Sequence, residues 1–551
     1  MIEEENVSTP SSDADQTPTW SSSSTMIEAT GVPQLDTVLG GGLPKGSLAI
    51  ILGSPGSGKT TLASQIAFAA AKRGQKALLL TALSEPTTKL LGHLQSYNFF
   101  APELVGNEVQ IFSIQQFLTQ GKPPAAQDIV AAVRQTRANL VVLDGFQAIR
   151  ALEPDFITSR QLLYDLGARL SLLGTTTIIT TEADPRDPTL FPEMTTGDLL
   201  IGLYFILNGT RAFRSLEILK VRGRAPMLGR HSMVLSEDGV QVYPRLEACS
   251  HQLPRSDTKS VEHKKERVTF GLLELDTLLG GGLTRQTSTL LTGSLGTGKT
   301  LLALQFALSG IPKGENALFL TFRETREQLL LKAESFQLGE QLRAALAPGG
   351  GLTLQRWEPV EVDPDQVATT MLNILSENNI RRVVIDSIAE LERAVIESSG
   401  KDRVSNYLAA LLAMLRSRDI TLLALKESPK AVSTDVDFSA DALSILAENV
   451  ILVQHLAVNN RLHRVISVLK MRFSAHDHNL REFIITSPEG VRVLTPQESG
   501  LDTLAGLTRE ASGHSGYLSP IYQAPPQRGG VYDVTGPCSS RNRYITHSHC
   551  R

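Results

Sequence analysis

Gly53-Ser54-Pro55-Gly56-Ser57-Gly58-Lys59-Thr60-Thr61 and Gly293-Ser294-Leu295-Gly296-Thr297-Gly298-Lys299-Thr300-Leu301 are two copies of one pattern, G-x-x-x-x-G-K-[ST] plus the residue after it. The pattern is a phosphate-binding loop, a P-loop. Its glycines let backbone N–H groups close round phosphate oxygens, and the helix that follows adds the positive end of its dipole. An apolar run precedes each copy, Leu48–Leu52 and Ser288–Thr292, as a buried strand would. A helical pattern follows, Thr61–Phe68 and Leu301–Leu308. In this setting the residues of each loop line a nucleotide. Lys59 and Lys299 reach its outer phosphates, and Thr60 and Thr300 offer a hydroxyl to Mg²⁺. ATP and Mg²⁺ are the expected ligands.

The loops belong to much longer repeats. Gly31-Val-Pro-Gln-Leu-Asp36-Thr-Val-Leu-Gly-Gly-Gly-Leu43 returns as Gly271-Leu-Leu-Glu-Leu-Asp276-Thr-Leu-Leu-Gly-Gly-Gly-Leu283. The same 240 residues separate Asp36 from Asp276 and Lys59 from Lys299. A repeat that keeps register over this distance is a whole domain. Gln75–Thr81 and Glu315–Thr321 read as second strands, Asn139–Asp144 and Arg381–Asp386 as third, Thr175–Thr181 and Ile420–Leu425 as fourth, with helical patterns between. A more strand-like stretch ends each copy, Ser215–Lys220 and Arg464–Lys470. Strands apolar on both faces that alternate with helices predict an α/β fold, a mostly parallel sheet with helices on both faces, built twice. The second strands are expected to end beside the P-loop strand. The expected organisation is a disordered tail over 1–25, a first domain over 26–245, a linker over 246–266, a second domain over 267–495 and a mostly disordered tail over 496–551.

Composition narrows the function classes. The 551 residues are too many for one core. Hydrophobic content of 41% and charged content of 20% suit a soluble globular chain. A net charge of −4 argues against a constitutive nucleic-acid binder. Cys249, Cys538 and Cys550 have no metal-ligand spacing and suggest no disulfide framework. The opening Met1-Ile-Glu-Glu-Glu lacks the positive start and apolar segment of a signal peptide, and no apolar run is long enough to span a bilayer. The expectation is a cytoplasmic protein with no membrane partner.

Hydrolysis needs more than a loop. Asp144 and Asp386 close the third strands after apolar tetrapeptides, where a carboxylate can hold Mg²⁺ alongside Thr60 and Thr300. Glu85 and Glu324 stand just past the second strands, as candidate bases for an attacking water. Lys220-Val-Arg222 and Lys470-Met-Arg472 recur late in each domain, and cations in such a place can act on a neighbouring subunit's γ-phosphate. Each has a plainer reading: a helix cap for the aspartates, an exposed loop for the glutamates, a solvated strand face for the Lys-x-Arg pairs.

These residues together resemble the KaiC family of the RecA/RadA superfamily. The resemblance is carried by Leu-Asp-x-x-Leu-Gly-Gly-Gly-Leu before each P-loop and by the late Lys-x-Arg motifs. It covers about residues 27–495 and is densest at Gly293–Thr300, Arg323–Leu330, Arg382–Ser387 and Val468–Arg472. It implies two tandem RecA-like P-loop NTPase domains in a double-ring homohexamer, with ATP between subunits. It implies a slow Mg²⁺-dependent ATPase in the first domain and serine/threonine autokinase activity in the second, with signalling proteins or a clock as the setting. P-loop, Glu and Asp would come from one subunit, and Lys220, Arg222, Lys470 and Arg472 from the next.

Two departures stand out. The family pairs two glutamates after the second strand, whereas here the pairs read Ser84-Glu85 and Arg323-Glu324. The family's adjacent phosphorylated Ser and Thr align, through Val450–Gln454, with Ser444-Ile445, which leaves Ser444 as the phosphorylation candidate. An ordinary helix serine is the alternative there. Two other functions stay open: a RecA/RadA-like DNA-dependent ATPase, for which no clear basic loop is seen, and a non-hydrolysing ATP-sensing scaffold.

Overall fold

The computed structural model describes residues 26–499 except 82–85, 118–125, 153–154, 188–191, 251–265, 429–441, 459–460 and 478. The expected N-terminal tail and residues 500–551 lie outside the described residues.

In the first domain the P-loop strand Leu48–Gly53 is buried along its whole length. Thr176–Glu182 pairs with it in parallel on one side and Leu199–Asn208 on the other. From Thr176–Glu182 the sheet continues through Leu140–Leu143 and Ala77–Thr81 to Val109–Ser113, all parallel. Beyond Leu199–Asn208 come three antiparallel strands, Arg211–Val221, Arg230–Ser236 and Gly239–Tyr243, making a 9-stranded sheet. Apolar clusters fill both faces, one under the P-loop helix Lys59–Lys72 and one under Phe156–Leu172. The second domain repeats the plan in a second 9-stranded sheet, with Ser288–Gly293 between Thr421–Glu427 and Asn449–Val458. The chain is thus two tandem α/β domains of the expected class.

One expectation fails. The second strands, Ala77–Thr81 and Asn316–Thr321, do not end beside the P-loop strand. After the P-loop helix the chain crosses two strand positions, which the third and fourth strands fill later. The neighbour of the P-loop strand is therefore the fourth strand, and the second strand lies beside the third.

The Leu-Asp-x-x-Leu-Gly-Gly-Gly-Leu repeats prove structural. Leu35, Val38 and Leu39 are buried on a short helix, Leu35–Leu39. The Asp36 carboxylate accepts the Thr30 N–H at 2.9 Å, and Asp276 accepts the Phe270 N–H at 2.7 Å and the Gly271 N–H at 3.1 Å. Gly42 and Gly282 let the backbone close on the entry strand. A Cβ there would lie 2.5 Å from the Glu28 carbonyl oxygen and 2.6 Å from that of Val268.

The expected linker opens as a short helix, Leu246–Ser250, and its Leu246 is buried in the second domain's core cluster. Arg403 of the second domain donates to both oxygens of Glu247 at 2.8 and 2.9 Å and to Asp365 at 2.7 Å. Arg211, at the tip of a first-domain hairpin, donates to the carbonyl oxygens of Glu361 at 2.6 Å and Val362 at 3.0 Å. Among the described residues no helix is long and apolar enough to cross a membrane.

Candidate nucleotide sites

Each P-loop ends on a glycine that only glycine fits easily: φ is 99° at Gly58 and 93° at Gly298, just before the helices begin. The loop lysines fold back on their own loops. Lys59 donates to the carbonyl oxygens of Gly53 and Ser54, both at 3.0 Å, and Lys299 to those of Gly293 at 3.0 Å and Ser294 at 2.8 Å. Burial lowers the pKa of both lysines. Glu182 and then Asp144 oppose this at Lys59, and Glu427 and then Asp386 at Lys299. The Ser57 and Ser294 hydroxyls are buried in the loops with no partner among the described residues. Unpaired buried hydroxyls of this kind suit a polar ligand.

Each loop threonine meets the aspartate that closes the third strand. The Thr60 hydroxyl donates to Asp144 at 3.0 Å, and Thr300 to Asp386 at 2.8 Å. Burial pushes both carboxyl groups above the usual range; hydroxyl bonds from Thr180 and Thr60 partly offset this at Asp144, as one from Thr300 does at Asp386. A hydroxyl and a carboxylate, both hard oxygen donors at the mouth of a phosphate loop, are the set a Mg²⁺ ion takes when phosphates supply further ligands. The buried carboxylates fit it for a second reason, because a cation there offsets their desolvation.

Thr321 pairs in register with Asp386, which brings Glu324 near that aspartate. The Glu324 N–H donates to the Thr321 hydroxyl at 3.2 Å. One carboxylate oxygen of Glu324 bonds to Lys332, and the other is buried with no partner among the described residues. Its charge is among the influences that raise Asp386. Glu85 and Ser84 lie outside the described residues.

The Lys-x-Arg residues stand elsewhere. Lys220 pairs with Leu200, and Lys470 with Val450, at the end of each sheet opposite the P-loop. Lys220 approaches the Thr195 carbonyl oxygen at 3.5 Å, and Arg222 pairs with Asp198 at 3.4 Å. Lys470 donates to the carbonyl oxygens of Ser444, Ile445 and Ala447, and the Arg472 N–H donates to the Glu448 carbonyl. Within one chain, then, these four cations do not join the P-loops. Ser444 lies on the short helix Ala442–Leu446 and is only 7% exposed, whereas its neighbour Ile445 is 57% exposed.

Sequence reasoning missed two carboxylates. Glu182 and Glu427 end the fourth strands, paired in register with Gly53 and Gly293 at the start of each loop. The signal that singled out Asp144, an acid closing a strand-like run, was also present at Thr180-Thr181-Glu182 and Leu425-Lys426-Glu427.

Comparison with known proteins points to one family. The family model for the KaiC ATPase matches residues 28–247 and 268–498. The circadian clock protein KaiC3 of Synechocystis sp. (strain ATCC 27184 / PCC 6803 / Kazusa) is 27% identical over 503 residues, 87% of this chain and 93% of that protein. The circadian clock oscillator protein KaiC of Rippkaea orientalis is 27% identical over 477 residues, 84% of this chain and 86% of that protein. That of Thermostichus vulcanus is 26% identical over 525 residues, 89% of this chain and 94% of that protein.

Proposed function

Because the chain belongs to the KaiC family of ATPases, we propose that each of its two domains binds one ATP with Mg²⁺ and hydrolyses it. The observation that carries this reading is one set of contacts made twice: a lysine laid on its own loop carbonyls, and a threonine hydroxyl bonded to a strand-end aspartate.

In the second domain Lys299 exchanges the carbonyl oxygens of Gly293 and Ser294 for phosphate oxygens. Thr300 and Asp386 hold Mg²⁺, which when bound neutralises charge on the β- and γ-phosphates. The Glu324 oxygen that does not bond to Lys332 accepts a proton from water, and the hydroxide attacks the γ-phosphorus as the bond to ADP breaks. The first domain uses Lys59, Thr60 and Asp144 in the same roles, with Glu85 as its base. Lys220, Arg222, Lys470 and Arg472 lie too far from their own loops to serve them. They serve the loops of a neighbouring copy in a ring, a hexamer in this reading.

Transfer to Ser444 in place of water requires the helix Ala442–Leu446 to open, since its hydroxyl is buried. The relatives are named for a circadian clock, and clock-type or signalling regulation is the corresponding proposal for this chain. The test is phosphate release from ATP with and without Mg²⁺, alongside sedimentation with a non-hydrolysable analogue or ADP. Mg²⁺-dependent release and a ring favoured by the analogue are expected. Absence of release overturns the hydrolysis, and a monomer with either nucleotide overturns the shared site.

A further inference from the structure

We propose that Arg323 is a phosphate-binding residue of the second domain, a cation supplied by the same chain as the P-loop and directed at the γ-phosphate of ATP. This rests on the ATP site proposed above and deepens it.

The first support is reach. Arg323 follows the second strand, which two strands separate from the P-loop strand, yet its Nη1 donates to Glu427 at 3.2 Å. Glu427 is the residue paired with Gly293. The Gly293 carbonyl oxygen in turn accepts from Lys299 Nζ at 3.0 Å and from the Ser428 N–H at 2.9 Å. The guanidinium therefore spans the third strand and stands at the mouth of the loop, beside the lysine that grips phosphate.

The second support is how firmly it is held. The N–H of fully buried Phe322 donates to the Asp386 carbonyl oxygen at 3.0 Å. Thr325 caps the following helix, accepting the Gln328 N–H at 3.2 Å while the Gln328 side chain accepts the Thr325 N–H at 2.9 Å. Both flanks of Arg323-Glu324 are thus fixed. Glu390, with a side chain 5% exposed, accepts from Nε at 3.3 Å and Nη2 at 3.0 Å. That anchors one edge of the guanidinium, while the side chain as a whole stays 55% exposed.

The third support is charge. Glu427 beside the loop repels an incoming triphosphate, and Arg323 offsets it. Nη1 can leave Glu427 for a γ-phosphate oxygen while Glu390 keeps the other edge in place, a planar fork suited to phosphate. Glu390 and Glu427 are positioning residues in this scheme. ADP has no γ-phosphate, so Arg323 favours ATP over ADP. The matching first-domain position is Ser84, so the preference belongs to the second domain.

The experiment uses the full chain carrying Lys59→Ala, so that the second-domain site is the one read. Titration calorimetry measures binding of β,γ-imido-ATP and of ADP, both with Mg²⁺. Arg323→Gln is expected to weaken the analogue about tenfold and leave ADP within about twofold, and Arg323→Lys to recover part of the loss. Equal weakening of both nucleotides, as a purely structural role would give, overturns the proposal. So does no change in either. If the Lys59→Ala chain with Arg323 intact takes up neither nucleotide, the second-domain ATP site has failed, and this proposal falls with it.

Discussion

Lys470 donates its ammonium to the carbonyl oxygen of Ser444 at 3.1 Å, within one chain. The same ammonium reaches the carbonyl oxygens of Ile445 at 3.3 Å and Ala447 at 2.7 Å. The helix Ala442–Leu446 is five residues long, so its last carbonyls have no N–H of a further turn to accept from. Lys470 supplies those donors and a positive charge at the helix C-terminus. Lys470→Ala should therefore lower stability by about 1–2 kcal/mol in nucleotide-free protein. Urea unfolding without nucleotide reads this. An unchanged midpoint would mean that the ammonium acts only on a neighbour's phosphate.

The burial of Ser444 sets an expectation for group transfer. A serine residue that is only 7% exposed meets a γ-phosphate only after its helix opens. Ile445 carries no hydroxyl, so Ser444→Ala should abolish phosphate incorporation in this segment and leave ATP turnover within about twofold of wild type, since a buried Ser→Ala change removes one hydroxyl and no catalytic group. Radiolabel mapped to this segment after the substitution would defeat the assignment.

The loop lysines predict stoichiometry. Lys59 is half-buried and Lys299 buried, and each lies on its own loop carbonyls. Lys59→Ala and Lys299→Ala should each abolish one of two ATP sites, because a bound triphosphate then loses its main cationic partner. Equilibrium dialysis decides it. Two nucleotides still bound by both single variants would contradict two independent sites.

The parts of this site that were legible in the sequence are those fixed by neighbours in the chain. A P-loop is a run of consecutive residues, and Asp144 and Asp386 close short apolar runs, so both could be read locally. The roles of Glu182 and Glu427 depend on which strand lies beside the P-loop strand, and nothing near them in the chain carries that order. The same limit hid Leu246: it opens the stretch 246–266 that reads as a linker, while its backbone N–H partner Asp365 comes more than a hundred residues later. The Lys-x-Arg motifs were visible as a repeat. Their contacts with the Thr195 and Ser444 carbonyls were not, because each joins a strand to a short helix about 25 residues earlier in the chain.

The joint between the domains predicts a pH dependence. Asp365 is buried at Arg403, close to the carboxylates of Asp363 and Glu247. Burial pushes its carboxyl up to about 6, with Arg403 only partly opposing. Burial also acts on Glu247, but there Arg403 prevails and holds the carboxyl below its usual range. Two carboxylates sharing one guanidinium divide in this way because only one charge is matched. An unfolded aspartate ionises near pH 3.9, so between about 4 and 6 the folded chain binds the extra proton. Stability from this group is therefore greatest at low pH and falls as pH rises through about 6, by on the order of 2–3 kcal/mol. Asp365→Asn should flatten the fall in melting temperature between pH 5 and 7. An equally steep fall in the variant would show that Asp365 is ionised on both sides.

Catalysis by Glu324 is the most exposed expectation. Water is a poor nucleophile, and a base must draw off its proton as the γ-phosphoryl group loosens. In the second domain Arg323 remains cationic and is tied to Glu390 and Glu427, so it cannot serve. Glu324 has the required features: it follows the strand paired with Asp386, its N–H is fixed by Thr321, and one buried carboxylate oxygen has no partner among the described residues. General-base assistance contributes about 10²–10⁴-fold to such reactions. Glu324→Gln keeps the shape and the contact with Lys332 while losing the base. In the Lys59→Ala chain, where the second domain turns over alone, it should therefore cut phosphate release by at least about 10²-fold and leave ATP affinity within a few fold. Combining Glu85→Gln with Glu324→Gln should remove most hydrolysis from the otherwise unaltered chain. Single-turnover release at saturating ATP separates the chemical step from binding. Full hydrolysis in the double variant would move the base to another carboxylate, and Glu427, beside Gly293, would be the next to replace.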